Sequence, residues 1–383
     1  MGLLLLLSFI RIDILPFSIR WNHSPDVLLR KTFSDRSLTA ITLLFFIPFL
    51  SGIWSDDIGD WLRIVRIRLP FLLMPMAFVA VDKWPPRAMQ YIATAAMVTA
   101  LGTIPFVLYH FISSYGEVLE SLIHGKMLWT PAYHIRYSLL LAYTALLGLY
   151  YYVKLSDMKW RRFFLIGSTV TIIFLHFLAV RSGLFVLYAV GIGYFLYEMV
   201  TGRHRWKMAG GFVGLLLLPV IGILTIPSLH QKWKYMRWDL EHIAQGEVNQ
   251  GSDNKRILSF KGGLKVFKSS PIIGVGAGDL KQKMRDYFVD ENMQFSIYPH
   301  NQYIFTLAST GVLGMIFFLI AVLFPLFHNQ LYRYPPALFI HVIILLSFLV
   351  ENTLETSLGV AIYLFFGLVT KKEWEKINAA NIV

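Results

Sequence analysis

The residues best suited to chemistry lie where Pro299-His300-Asn301-Gln302-Tyr303 leads on to Thr310-Gly311-Val312-Leu313-Gly314, as a long polar loop re-enters a strongly apolar segment. A neutral imidazole at that point can accept a proton near pH 7, which suits general-base work on a hydroxyl. The plain alternative is an interfacial histidine bonded to backbone. Arginines are the other residues set against their surroundings. Arg181 stands between Phe177-Leu178-Ala179-Val180 and Ser182-Gly183, with apolar segments on both sides and almost no loop. Arg136 opens a further apolar segment in Tyr133-His134-Ile135-Arg136-Tyr137-Ser138. Guanidinium forks hold phosphate oxygens in pairs and stay charged at any relevant pH. A lipid-linked diphosphate meets that description, and so does an anionic lipid headgroup; a snorkelling residue at a span end is the bland reading of Arg181.

The elements that must position these residues are membrane helices. A mean hydropathy of +0.57, with 56% hydrophobic and only 15% charged residues, does not fit a soluble domain of 383 residues. Several apolar runs approach the roughly 18–20 residues that cross the hydrocarbon as helix. Helix is required because backbone polar groups in lipid must be satisfied within the segment. About eleven spans are expected, near 2–19, 37–54, 67–82, 88–112, 134–153, 161–180, 182–200, 207–228, 302–327, 336–350 and 356–370. The fold class is therefore an all-α, polytopic membrane bundle. Three regions follow: an N-terminal bundle over 1–229, a large extracytoplasmic loop over 230–301, and C-terminal helices with a short cytoplasmic tail over 302–383.

Orientation follows the Lys and Arg of the short loops, which gather on the cytoplasmic side. Arg30, Lys31 and Arg36, then Lys154, Lys159, Arg161 and Arg162, then Lys371, Lys372 and Lys376 mark that side. The net charge of +12 is largely this bias, so nucleic acid is not an expected partner. The same count places the N-terminus outside, which an upstream span would repair; the segment 2–19, interrupted by Arg11, Asp13 and Pro16, is also compatible with a signal peptide, though no basic stretch precedes its leucines. On the depleted side, Arg63 and Arg66 share a helical face with Arg68 nearby, either as interfacial anchors beside Trp54 and Trp61 or as anion holders.

The chain has no cysteine, so it can form neither a disulfide nor a thiolate metal site. In the long loop, Pro271-Ile272-Ile273-Gly274-Val275-Gly276-Ala277-Gly278 has neither Rossmann nor P-loop spacing and reads as a tight turn passing close to a ligand or a neighbouring helix. Asp279, Asp286, Asp290 and Glu291 fit no metal-binding signature and read as solvated. Gly311 and Gly314 read as close-packing positions.

The order Arg181-Ser182, then Arg256 upstream of Pro271-Ile272-Ile273-Gly274-Val275-Gly276, then His300-Asn301-Gln302-Tyr303, Gly311-Val312-Leu313-Gly314 and Glu351-Asn352 resembles the O-antigen ligase and O-antigen polymerase superfamily. The likeness covers 130–370 and is firmest over 255–315. It implies a GT-C-like glycosyltransferase of about twelve transmembrane helices, each a bilayer thickness long. Such an enzyme sits in the bacterial inner membrane and works on the periplasmic face without metal, cofactor or nucleotide sugar. Its donor would be an undecaprenyl-diphosphate-linked glycan, and its acceptor the lipid A core for a ligase or a growing glycan for a polymerase. By the same likeness His300 would be the general base, and Arg181 and Arg256 would hold the diphosphate. Arg136 would be a third phosphate ligand. Asn301 would orient the histidine or a sugar, and Glu351 with Asn352 would line the outer rim. A transporter of lipid-linked sugars and a non-catalytic scaffold remain as other classes; the first should show broken spans near the midplane.

Overall fold

The computed structural model describes residues 10–14, 17–21, 24–81, 84–201, 205–245, 251–291, 293 and 295–382. Every expected span but the first coincides with a helix. The described part of the first is instead an antiparallel hairpin, β1 (Ile10–Ile14) and β2 (Phe17–Trp21), in register from Ile10↔Trp21 to Ile14↔Phe17. Arg11 and Asp13 break the apolar run there, and Ile10, Ile12 and Ile14 alternate with them at the period of a strand rather than of a helix.

Among the described residues, the other elements are helices, with short 3-10 turns at Ser51–Ile53, His328–Arg333 and Thr353–Glu355. The helices are α1 (Pro25–Ser34), α2 (Arg36–Leu50), α3 (Ile58–Arg68), α4 (Pro70–Val79), α5 (Ala88–Ser113), α6 (Tyr115–Ile123), α7 (His134–Lys154) and α8 (Met158–Leu178). They continue as α9 (Arg181–Thr201), α10 (Arg205–Thr225), α11 (Pro227–Ala244), α12 (Ser252–Ser269), α13 (Leu280–Asp290), α14 (Gln302–Phe327), α15 (Pro335–Ser347) and α16 (Ser357–Ile382). Among the described residues, four helical stretches are long and apolar enough to cross a membrane alone: Arg36–Ile53, Ala88–Ser113, Met158–Leu178 and Gln302–Arg333. A fifth arises if Phe212–Thr225 and Pro227–Ala244, bent by 94°, form one broken span. Arg181–Tyr197 and Pro335–Ser347 are shorter apolar helices. The chain is a multi-pass membrane protein.

The helices group into two compact units, one of residues 1–88 and 258–383 and the other of 89–257. In the first, α2 packs along α14 and α4, and α16 packs on α15 and α4. Its distinctive feature is a break in α14 at Gly311, whose φ of 66° and ψ of −167° lie in a region open essentially to glycine alone. The glycine-rich stretch of the loop repairs the break. Val275 N–H donates to Ala308 O at 3.0 Å and Gly276 N–H to Ser309 O at 2.9 Å. Val312 N–H donates to Pro271 O at 2.9 Å and Leu313 N–H to Ile272 O at 3.1 Å. The backbone groups that a broken apolar helix would leave unsatisfied are thus paired. The loop approaches a neighbouring helix, as its glycines suggested. Gly314 packs closely as expected, a methyl there meeting Thr310 and, at 3.4 Å, Ile47 of α2. Gly311 instead makes the break.

In the second unit α7 and α8 pack together along an extended interface. Small residues allow it: Gly148 faces Ser168, whose hydroxyl donates to Ala145 O at 3.0 Å. Ala179, in the left-handed conformation at φ 51°, closes α8 with its N–H on His176 O, so α9 starts two residues later at Arg181. Gly183 lets the first turn of α9 pack directly against Ser138 in the first turn of α7.

Gly274→Ala and Gly311→Ala should each lower the melting temperature in detergent by several degrees or abolish expression. Positive φ alone costs an ordinary residue about 1–2 kcal/mol, and at both positions the methyl would also run into backbone, of Ser309 and Thr310 or of Ile272. Gly102→Ala, with open space at its Cβ, should be neutral or stabilising. Equal melting temperatures across the three variants would contradict the role assigned to the break.

Candidate functional site

His300 is held at the entrance to α14, within the first unit. Asn301 is the N-cap of that helix: its Oδ1 accepts from Ile304 N–H at 3.0 Å while its Nδ2 donates to Leu349 O at 3.0 Å. The Asn301 side chain is therefore engaged in fixing the backbone that carries His300. His300 N–H donates to Ser259 Oγ at 3.1 Å. Its Nδ1 lies 3.4 Å from Glu351 Oε1, and the imidazole remains 34% exposed.

Glu351 is the correction here. It was expected at the outer rim, but it is only 3% exposed and faces the histidine. A carboxylate at Nδ1 favours the tautomer with its proton on that nitrogen, which leaves Nε2 as the acceptor. A partly exposed imidazole oriented in this way can take a proton from a hydroxyl. Sequence separation hid this pair, because 50 residues and the helices α14 and α15 lie between its members.

Two of the three arginines of α3, Arg63 and Arg68, are committed to acids. Arg63 Nε donates to Asp60 Oδ1 at 3.1 Å and its Nη2 to Tyr298 OH at 3.0 Å; Tyr298 OH donates to Asp60 Oδ2 at 3.3 Å. Lys281 adds a second cation to Asp60 at 3.4 Å. Burial opposes the Asp60 anion, but Arg63 and Lys281 together hold its carboxyl below the ordinary value. Burial drives the Tyr298 phenol upward, although Arg63 opposes it. Arg68 is buried and paired with Glu355, which also accepts from Gln302 Nε2 at 3.1 Å. Arg66 stays exposed.

The second unit gathers the other arginines around one carboxylate. Arg181 Nη1 pairs with Asp253 Oδ2 at 2.6 Å, its Nη2 donates to Ser252 Oγ at 3.0 Å, and Arg256 Nη1 lies 3.4 Å from Asp253 Oδ1. Asp253 N–H donates to Asp239 Oδ2 at 2.7 Å, with Asp239 fully buried. Lys232, also buried, donates to Gly125 O at 2.6 Å. Arg136 is 4% exposed in the first turn of α7, with its guanidinium 4.6 Å above the Tyr133 ring. The structure brings Arg181 and Arg256, both singled out in the sequence, to Asp253, whereas neither Asp253 nor Asp239 stood out there. Acidic residues in a long polar loop look solvated when nothing in the sequence identifies their partners.

The remaining acidic residues of the loop are placed elsewhere. Asp279 accepts from the N–H groups of Asp56 and Asp57, at 3.0 and 2.8 Å through its Oδ1. Asp286 accepts from Gln282 at 2.7 Å, and Glu291 lies 3.8 Å from Lys265. Among the described residues, no group of three or more His, Cys, Asp or Glu is clustered to hold a metal ion.

The lowered Asp60 value gives the α3 network a pH signature. Its contribution is complete above the ordinary carboxylate range and is lost as pH falls through the lowered folded-state value. Melting temperature in detergent should therefore fall on acidification below about pH 4, and Asp60→Asn should flatten that dependence. An identical acid limb in the variant would remove Asp60 from the account.

Residues 166–319 match a family model described as O-antigen ligase. The matched stretch includes Arg181, Asp253, Arg256, the glycine-rich turn, His300 and the break at Gly311. No curated protein matches the chain. The arginine–carboxylate cluster and the oriented His300 thus both fall inside the stretch, less than half of the chain, that is similar to the O-antigen ligase family.

Proposed function

We propose that this protein is a ligase-type glycosyltransferase of the inner membrane, moving a glycan from undecaprenyl diphosphate to an acceptor hydroxyl on the periplasmic face, with the lipid A core as acceptor. The observation that carries the reading is the convergence of Arg181 and Arg256, 75 residues apart, on a single anion. Two guanidinium groups around one carboxylate suit a phosphate group, which offers more oxygens and more charge. The first turns of α7 and α9 pack together there through Gly183 and Ser138, and helix N-termini add favourable potential for an anion.

In the proposed reaction His300 Nε2 takes the proton of the acceptor hydroxyl as its oxygen bonds to the anomeric carbon. The bond from that carbon to the phosphate oxygen breaks, and undecaprenyl diphosphate departs with the bonding pair. Arg181 and Arg256 stabilise the charge that grows on the leaving group, with Arg136 supporting the same end. Glu351 positions the imidazole through Nδ1, so that Nε2 is the accepting nitrogen. The roles of the arginines need no metal.

His300→Ala should lower transfer by roughly 100- to 10,000-fold with donor affinity retained. Glu351→Gln should lower kcat by roughly tenfold without changing donor KM. Arg181→Ala and Arg256→Ala should weaken donor binding by about tenfold or more each. Wild-type turnover in the histidine variant would remove the general base. A strain lacking the protein should accumulate bare lipid A core, with full-length glycan left on its carrier; core capped by one repeat unit would mean a polymerase instead.

A further inference from the structure

We infer that Asp253 is an internal stand-in for the donor diphosphate: it occupies the arginine clamp in the substrate-free protein and must leave for substrate to bind. The inference rests on the proposed reading of Arg181 and Arg256 as the diphosphate clamp and adds how that clamp is kept and released.

Two guanidinium groups, 30% and 24% exposed, would repel each other if left alone beside buried Lys232. Asp253 prevents this by giving one oxygen to each arginine, Oδ2 to Arg181 and Oδ1 to Arg256. A carboxylate divided in this way presents its two oxygens to separate guanidinium groups, an arrangement that a phosphate group can also adopt. A carboxylate carries a single negative charge, so the same two guanidinium groups attract an anion of higher charge more strongly. A diphosphate supplies that charge and has more oxygens to share between the forks.

The attachment of Asp253 suits exchange. Its position is set through its main chain, whose N–H is bound by Asp239 at 2.7 Å, and Asp239 is fully buried. Ser252 next to it holds the other end of Arg181 at 3.0 Å. The backbone and Arg181 are therefore anchored independently of the Asp253 carboxylate. Rotation about the Asp253 side-chain bonds can vacate the clamp without moving the helix that carries it. The exchange trades one set of charge-assisted hydrogen bonds for another, so binding strength depends on the difference between the two. Competition of this kind weakens retention of the diphosphate left after transfer and so favours its release.

The test titrates undecaprenyl diphosphate into the detergent-purified full-length protein, with melting temperature as a second readout. Asp253→Asn keeps the shape and removes the charge; it should bind the lipid roughly tenfold more tightly. Its ligand-free form should melt lower than wild type, and ligand should raise its melting temperature by more than it raises that of wild type. Asp253→Ser is measured beside it, so that misfolding of one variant does not decide the outcome. Arg181→Ala and Arg256→Ala should bind more weakly. If the arginine variants weaken binding but the folded Asp253 variants bind no tighter than wild type, Asp253 is a structural partner and the inference is overturned while the clamp stands. If the arginine variants bind as wild type does, the clamp itself fails, and this inference with it.

Discussion

Backbone hydrogen bonding in apolar surroundings is the constraint on which the first unit depends. A long apolar helix interrupted at Gly311 exposes carbonyl and amide groups that lipid cannot satisfy. The chain meets this cost with its own long loop, laying Pro271–Gly276 against both sides of the break. Ala277 N–H and Gly278 N–H then bond to Ser51 and Ser55, and Asp279 ties the loop to Asp56 and Asp57. One polar segment is thereby fixed to the end of α2, the start of α3 and the middle of α14. His300 inherits its place from that frame, because α14 begins two residues after it, capped by Asn301.

In the second unit the corresponding constraint is electrostatic. Cations collected at adjoining helix N-termini need a counter-charge while no substrate is present. Asp253 supplies it at a position set by a buried carboxylate through the backbone, so the counter-charge is local. The acids that pair with the arginines of α3 differ in this respect. Asp60 is surrounded by Arg63, Lys281 and Tyr298, and Glu355 is locked between Arg68 and Gln302. These networks hold the fold together and leave their arginines little freedom to receive a ligand.

The helical membrane architecture was legible in the sequence because it is written in runs of apolar residues, and a run long enough to cross lipid has few other structures available. All expected spans but the first correspond to helices for that reason. The glycines marked a close approach, His300 marked the loop's return to an apolar segment, and Arg181 stood out because its neighbours are apolar. The first expected span failed where alternating isoleucines and polar residues followed the period of a strand. Length alone could not show that α4, at ten residues, falls short of a bilayer.

Partners were decided only by the tertiary structure. No spacing rule places Glu351 beside His300, Asp253 between Arg181 and Arg256, or Glu355 against Arg68, since each depends on how helices distant in sequence pack. Nor does sequence show which of several outward arginines is already neutralised by a buried acid. The sequence by itself determined the solvent, the element type and the residues that are costly to place there. The fold determined how those costs are met, because a charge or a backbone break in apolar surroundings is stabilised by whatever group lies within a few ångströms, and only the folded chain specifies that group.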